Sequence, residues 1–271
     1  MKKTLFAVAA LLAASSAMAG DPNNPFTRDI PDPIPVLSPI TFEVGTTVHR
    51  ELYDAYGPAG MRVHEDGWMA GLKGAAALAF PRVGGKVVVS GEFSSGVSHA
   101  KTTLGGNAGS MSASGFDSNL LELTALYKQN VPLWTGLSLE GGLGYRRQAN
   151  NLSGGGAGLD DTSNRLYVVA GVEQNFVTSR WTISPSIQGK YALYSHESGS
   201  YAGPVTGDFS VNQHGGYGLQ AAVAMAYRSN GHNLAVTPYY RYWYMPQSGS
   251  DAAFAPQSKT QEMGVELTVQ F

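Results

Sequence analysis

The chain has no cysteine. Disulfides, thiol nucleophiles, cysteine-based zinc sites and a lipoprotein anchor are thereby excluded. Charge is also scarce, with only 14% of the 271 residues being Asp, Glu, Lys or Arg. That excludes a charged coiled coil and a highly charged disordered chain. Beyond the first twenty residues no apolar run approaches the ~20 residues that a membrane helix needs. Basic residues are outnumbered, 18 against 20 acidic, so no strong positive field suggests nucleic acid. The six histidines are scattered without ligand spacing, and no metal or cofactor is expected. What is abundant is glycine, with 34 residues, and tyrosine, with 14.

The N-terminus reads as an export signal. Lys2 and Lys3 form a basic start, Leu5–Ala14 is a short apolar run, and Ala17-Met18-Ala19 offers small residues at the cleavage positions. Cleavage is expected after Ala19, making residues 1–19 a signal peptide. Without Lys2 and Lys3 the formal charge becomes −4. Residues 20–40 carry Pro22, Pro25, Pro31, Pro33, Pro35 and Pro39, a spacing that supports neither a helix nor a paired strand. They are expected to form a short, polyproline-like periplasmic segment.

Residues 41–271 alternate between apolar and polar side chains in about ten segments of the size of transmembrane strands. The expected strands are Thr41–Tyr53, Gly67–Phe80, Lys86–Ser98, Ser118–Lys128, Gly136–Arg146, Asn164–Phe176, Trp181–His196, Gly215–Tyr227, Asn233–Met245 and Gln261–Phe271. Short connections alternate with long ones such as Asp54–Asp66, His99–Asp117 and Glu197–His214. Aromatic residues gather near segment ends, among them Trp68, Tyr145, Trp181 and Tyr244. The fold expected is all-β, a transmembrane antiparallel up-and-down barrel of about ten strands.

The last segment sharpens this. Met263, Val265, Leu267, Val269 and Phe271 share one face, and Glu262, Gly264, Glu266, Thr268 and Gln270 share the other. In ending on Phe271 it resembles the outer-membrane β-barrel proteins of Gram-negative bacteria. The resemblance implies that Phe271 is read by the barrel assembly machinery and that the protein resides in the outer membrane as a monomer among outer-membrane lipid and lipopolysaccharide. The stretch Glu51–Gly71 is similar to the first hairpin of a family of uncharacterised outer-membrane barrels, at Tyr53 or Tyr56, Pro58, Gly60, Met61, Glu65 and Gly67, with Ala59 inserted. That family implies no activity.

Nearly every segment places a charge on the polar face. Lipid would penalise a mid-membrane Arg or Lys by about 2–4 kcal/mol, so these charges belong inside. The expected lumen set is Glu43, Lys73, Glu92, Glu122, Glu140, Arg146, Glu173, Lys190, Arg241 and Glu266, with Arg165 and Glu262 on the same faces. Opposed charges in a narrow lumen satisfy one another, which suits a closed, non-catalytic surface protein, adhesin-like or envelope-stabilising, that meets an extracellular ligand through polar loops. The same charges suit a narrow gated channel. A third class, a hydrolase, rests on two resemblances. Omptin proteases resemble the chain in strand number and use paired Asp residues and an Asp–His pair, for which Asp160, Asp161, Asp54, His64 and Asp66 are available. Lipid A deacylases use His and Ser two residues apart with a downstream acid. His196 and Ser198 have that spacing, and Asp208 would have to serve as the acid.

Overall fold

The computed structural model describes residues 40–57, 60, 62–103, 110–151, 158–202, 207–229, 232–250 and 253–271. The expected signal peptide, its cleavage site at Ala19 and almost all of the proline-rich segment lie outside them. The strands are β1 (Ile40–Tyr56), β2 (Arg62–Phe80), β3 (Gly85–Thr103), β4 (Ser110–Asn130), β5 (Leu137–Asn151), β6 (Gly158–Gln174), β7 (Phe176–Val177), β8 (Trp181–Ala202), β9 (Gly207–Gln213), β10 (Tyr217–Ser229), β11 (His232–Met245), β12 (Ser248–Ser250), β13 (Ala253–Ala255) and β14 (Gln257–Gln270).

Ten of these form a closed antiparallel wall in the order β1-β2-β3-β4-β5-β6-β8-β10-β11-β14, with β14 returning to β1. The seam runs in register from Glu43 opposite Gln270 to Tyr56 opposite Gln257. Phe42 and Phe271 extend it by exchanging two backbone hydrogen bonds of 3.0 Å. Closure leaves no unpaired strand edge facing lipid.

Alternation sorts the side chains as the sequence implies. Val44, Leu72, Val89, Leu143, Ile187 and Leu267 are exposed on the outer wall. Their inward neighbours Glu43, Glu92, Glu266 and others are buried. The lipid-facing apolar band ends upward at Trp68, Tyr145, Leu166 and Tyr194. Above it the outer wall turns polar: Arg50 bonds Asp66, and the Tyr145 hydroxyl donates to Asn164 Oδ1 at 2.8 Å. At the opposite end turns are tight. The β2–β3 connection is a 3-10 turn, Pro81–Val83, closed by Gly84 at φ 64°, where a side chain would be strained.

Two features depart from expectation. The strands continue past the lipid band, up to 22 residues in β8, whereas ~9–11 suffice to cross. Much of what the sequence presents as loops is therefore wall: β1 runs to Tyr56 and β2 starts at Arg62, so most of the expected loop Asp54–Asp66 is strand. The second is a bulge in β8. Leu166 of β6 lies opposite Tyr194, but Tyr167 lies opposite Ala192. Leu193 and Tyr194 consequently both face outward, 46% and 42% exposed, whereas unbroken alternation along the expected strand Trp181–His196 would turn Tyr194 inward. An inserted residue reverses the parity of everything after it.

Candidate functional site in the lumen

Inward faces of eight strands meet in a central network. Arg241 on β11 reaches Glu92 on β3 through two contacts, 3.0 and 2.7 Å, and also Glu266 at 3.2 Å and Glu262 at 3.3 Å. Lys73 on β2 lies 2.9 Å from Glu266 and 3.5 Å from Glu92. Arg146 on β5 bonds Glu262 closely and lies 3.4 Å from Glu122 and 3.5 Å from Glu51. Lys190 on β8 donates to Glu122 at 2.9 Å, and the Tyr167 hydroxyl donates to the same carboxylate. Five carboxylates thus interlock with four cations, and no charged side chain of the network exceeds 8% exposure. Buried charges persist only with such pairing.

Nearer the short turns a second cluster centres on Lys128, 2.7 Å from Glu140 and 2.8 Å from Glu173. Asn175 donates to Glu173 and accepts from Ser184 at 2.6 Å. Between the two clusters lies a cavity of about 70 Å³, lined by Leu126, Val169, Thr237 and charges of both clusters. Above the network Trp243 packs edge-on against Tyr167, with ring centroids 5.1 Å apart, and the Lys190 ammonium lies 5.2 Å from the Tyr167 ring.

Seven of the ten sequence-expected lumen charges, Lys73, Glu92, Glu122, Arg146, Lys190, Arg241 and Glu266, are brought into the central network. Glu140 and Glu173 join the Lys128 cluster. Glu43 is buried in the lumen near the β1–β14 seam. Sequence reading overlooked Lys128 and Lys86, both buried. Each lies six residues from an inward glutamate, Glu122 and Glu92 respectively, so strand parity could have found them. It also overlooked Glu65 and Glu197, and it left Asp161 outside the expected strand Asn164–Phe176, whereas Asp161 belongs to β6 and faces inward opposite Asn150.

The hydrolase candidates do not converge. Because of the bulge His196 sits on the outer side of the wall, where its Nδ1 bonds Asn212 Oδ1 at 2.8 Å and its Nε2 lies 3.5 Å from Ser210 Oγ. Ser198 is opposite Ser210 and Asp208 opposite Ser200. Among the described residues no hydrogen bond joins His196 to Ser198 or Asp208. An Asp–His pair does exist, Asp54 and His64 at 3.0 Å, but it lies on the outer face and Arg62 bonds the same carboxylate oxygen at 3.0 Å. Asp161 is inside the wall and Asp160 outside, so these two aspartates do not present a pair on one face. Among the described residues no group of three acidic or histidine side chains is placed to hold a metal.

No protein-family model and no curated protein matches the chain. Solved structures do. The outer membrane protease OmpT from Escherichia coli aligns with a TM-score of 0.59 over 86% of this chain and 96% of its own, at 10% identity. The translocator domain of the autotransporter NalP from Neisseria meningitidis aligns at 0.45, covering 85% and 88% at 10% identity. The chain has the fold of an outer-membrane β-barrel. At 10% identity the OmpT likeness extends to architecture alone, and the differing trades of such barrels leave function to this chain's own residues.

Proposed function

We propose that the protein is a non-catalytic surface barrel of the Gram-negative outer membrane, with a lumen closed to ions. The observation that carries this reading is the central network, in which the buried side chains of Arg241, Arg146, Lys73 and Lys190 bind carboxylates from facing walls. With the bore closed, the parts left to meet other molecules are the strands and hairpins that rise beyond the lipid band. Arg50, Arg62, Arg147 and Lys259 on or near that outer rim suit the phosphates of lipopolysaccharide, and the polar hairpins suit an extracellular ligand, adhesin-like or envelope-stabilising.

The test is conductance of the full chain in a planar bilayer. The native barrel is expected to be silent, and the Glu122→Ala, Arg241→Ala double variant to conduct. Steady native conductance would sink the closed reading. One observation favours a gated channel as second reading: the cavity of about 70 Å³ directly beneath the network, lined by Lys73, Glu92, Lys190 and Arg241, gives those side chains room to swing.

A further inference from the structure

Above Trp243 the lumen holds a second group of charges that behaves unlike the network. Arg165 projects inward from β6, in one column with Ser163 and Asp161. Glu197 projects from β8 opposite Ser163. Glu65 projects from β2, opposite Tyr53 on β1. In the wall order β1 and β6 are diametrically opposed, so these groups look at one another across the bore. Tyr53 has Glu197, Glu65, Asp161 and Arg165 as its electrostatic neighbours.

The contrast lies in the pairing. Among the described residues no ion pair within 4.0 Å involves Arg165, Glu65, Asp161 or Glu197. Arg165 is 4% exposed, yet its Nε and Nη1 have no hydrogen-bond partner. The hydroxyls of Ser163 and Ser195 flank it and are likewise unpartnered. Glu65 and Glu197 are each 8% exposed, while Asp161 and Tyr53 are half-buried. These acids and the phenol lie on the outer side, the unpartnered atoms of Arg165, Ser163 and Ser195 lie beneath them out of contact with solvent, and Trp243 forms the floor, its ring centre 5.8 Å from the Arg165 guanidinium carbon. Buried polar groups left without partners are rare and call for one.

Asp161 already accepts a hydrogen bond from Asn150, and the chemistry of the valences that remain defines the ligand. A simple anion satisfies Arg165 and meets three carboxylates. A simple cation satisfies carboxylates and leaves the guanidinium and both serines unmet. A divalent metal lacks a ligand set here. We infer that this vestibule binds a small zwitterionic solute, its carboxylate held by Arg165, Ser163 and Ser195 and its amine by Glu197, Asp161 and Glu65. Three acids against one base favour a ligand with a second positive group, a basic amino acid. A guanidinium fork suits a carboxylate bidentately. The inference rests on the closed-barrel reading, because the ion-pair network is what gives the vestibule a bottom.

The experiment is calorimetric titration of the refolded full chain in detergent with L-arginine, alongside cadaverine, glutarate and calcium chloride, with tryptophan fluorescence as a second readout. L-Arginine is expected to bind at least about tenfold tighter than cadaverine, the scale of one charge-assisted hydrogen bond. Glutarate and calcium are expected to give no heat. Arg165→Gln is expected to weaken L-arginine by about tenfold or more and to leave cadaverine unchanged, whereas Glu197→Gln weakens both. Heat-modifiable migration checks that each variant has folded, and Arg165→Lys, which keeps the charge and loses the fork, replaces a variant that has not. Equal affinity for L-arginine and cadaverine overturns the proposal, as does calcium binding, indifference to both substitutions, or absence of binding at millimolar ligand. Failure of the closed-barrel reading appears separately, as native conductance.

Discussion

Arg241 and Glu92 make two parallel contacts across the bore, Nη1 to Oε1 at 3.0 Å and Nη2 to Oε2 at 2.7 Å, with β14, β1 and β2 between them in the wall. They are 149 residues apart in the chain. Such a pair cannot form until the barrel closes, so the network ties closure of the seam to neutralisation of the lumen. Each of its carboxylates would be costly alone, and each is held by a cation from another strand.

Removing the hub is expected to be expensive. Arg241→Met leaves Glu92, Glu262 and Glu266 with fewer cations, and truncation of one partner of a buried pair costs about 3–5 kcal/mol. Glu92→Gln is expected to cost less, since Arg241 keeps Glu262 and Glu266. Urea unfolding of the folded barrel reads both. The double variant should be less destabilised than the sum of the singles, the signature of direct coupling. Strict additivity would mean that the two side chains do not share an interaction.

Tyr167→Phe isolates one hydrogen bond. Its hydroxyl donates to Glu122, which also accepts from Lys190 at 2.9 Å. The ring and its contact with Trp243 survive the change, and the carboxylate keeps its cations. The expected loss is about 1.5–3 kcal/mol, the value of a hydrogen bond to a charged group. A stability equal to wild type in the same urea titration would show that the network closes around the missing hydroxyl.

The ten-strand wall and the inward charges were legible because period-2 alternation is local: Glu122 between Leu121 and Leu123 declares its face unaided. Partners were not legible. Which carboxylate meets Arg241 depends on the stagger of strands around the barrel, a property of the whole wall. The bulge at Leu193 and Tyr194 was invisible too, since both residues suit either face, yet it moves His196 outside and Glu197 inside. The vestibule was hidden for a related reason. Beyond the lipid band neither face needs to be apolar, so the alternation that marks a strand fades and Asp161 looks like part of a loop.

The outward placement of His196 makes a negative prediction. His196 is engaged by Asn212 and Ser210 on the outer side of the β8–β9 hairpin. Cells producing the native chain are expected to carry lipid A with the same number of acyl chains as cells producing the His196→Ala, Ser198→Ala variant. Mass spectrometry of extracted lipid A reads this directly. Loss of an acyl chain that depends on His196 would restore the hydrolase class.

Depth decides the cost of charge on the outer wall. Val44 is 50% exposed in the middle of the lipid-facing band. Val44→Arg is expected to destabilise the barrel in phospholipid vesicles by about 2–4 kcal/mol. His64→Arg, on the same outer surface but above the band, is expected to cost about 0–1 kcal/mol. Equal costs at the two sites would mean that the band has been placed at the wrong height.

Asp66 supplies a pH-dependent case on the outer rim. Arg50 grips it with Nε to Oδ1 at 2.8 Å and Nη2 to Oδ2 at 2.5 Å. The hydrogen bonds and charge of Arg50 hold the carboxyl below its ordinary range. A depressed carboxyl adds stability that is fully present above its unfolded value, near about 3.9, and that is lost as pH falls through the folded value. Both side chains are more than a third exposed, so solvent screening limits the gain to under about 1 kcal/mol. Asp66→Asn is therefore expected to lower the urea midpoint slightly at neutral pH in low salt. The difference should vanish at about pH 2, where the native carboxyl is also neutral, and shrink in about 1 M salt, where the Debye length is about 3 Å. A gap that persists under both conditions would assign the effect to altered packing of the β1–β2 hairpin and not to the charge on Asp66.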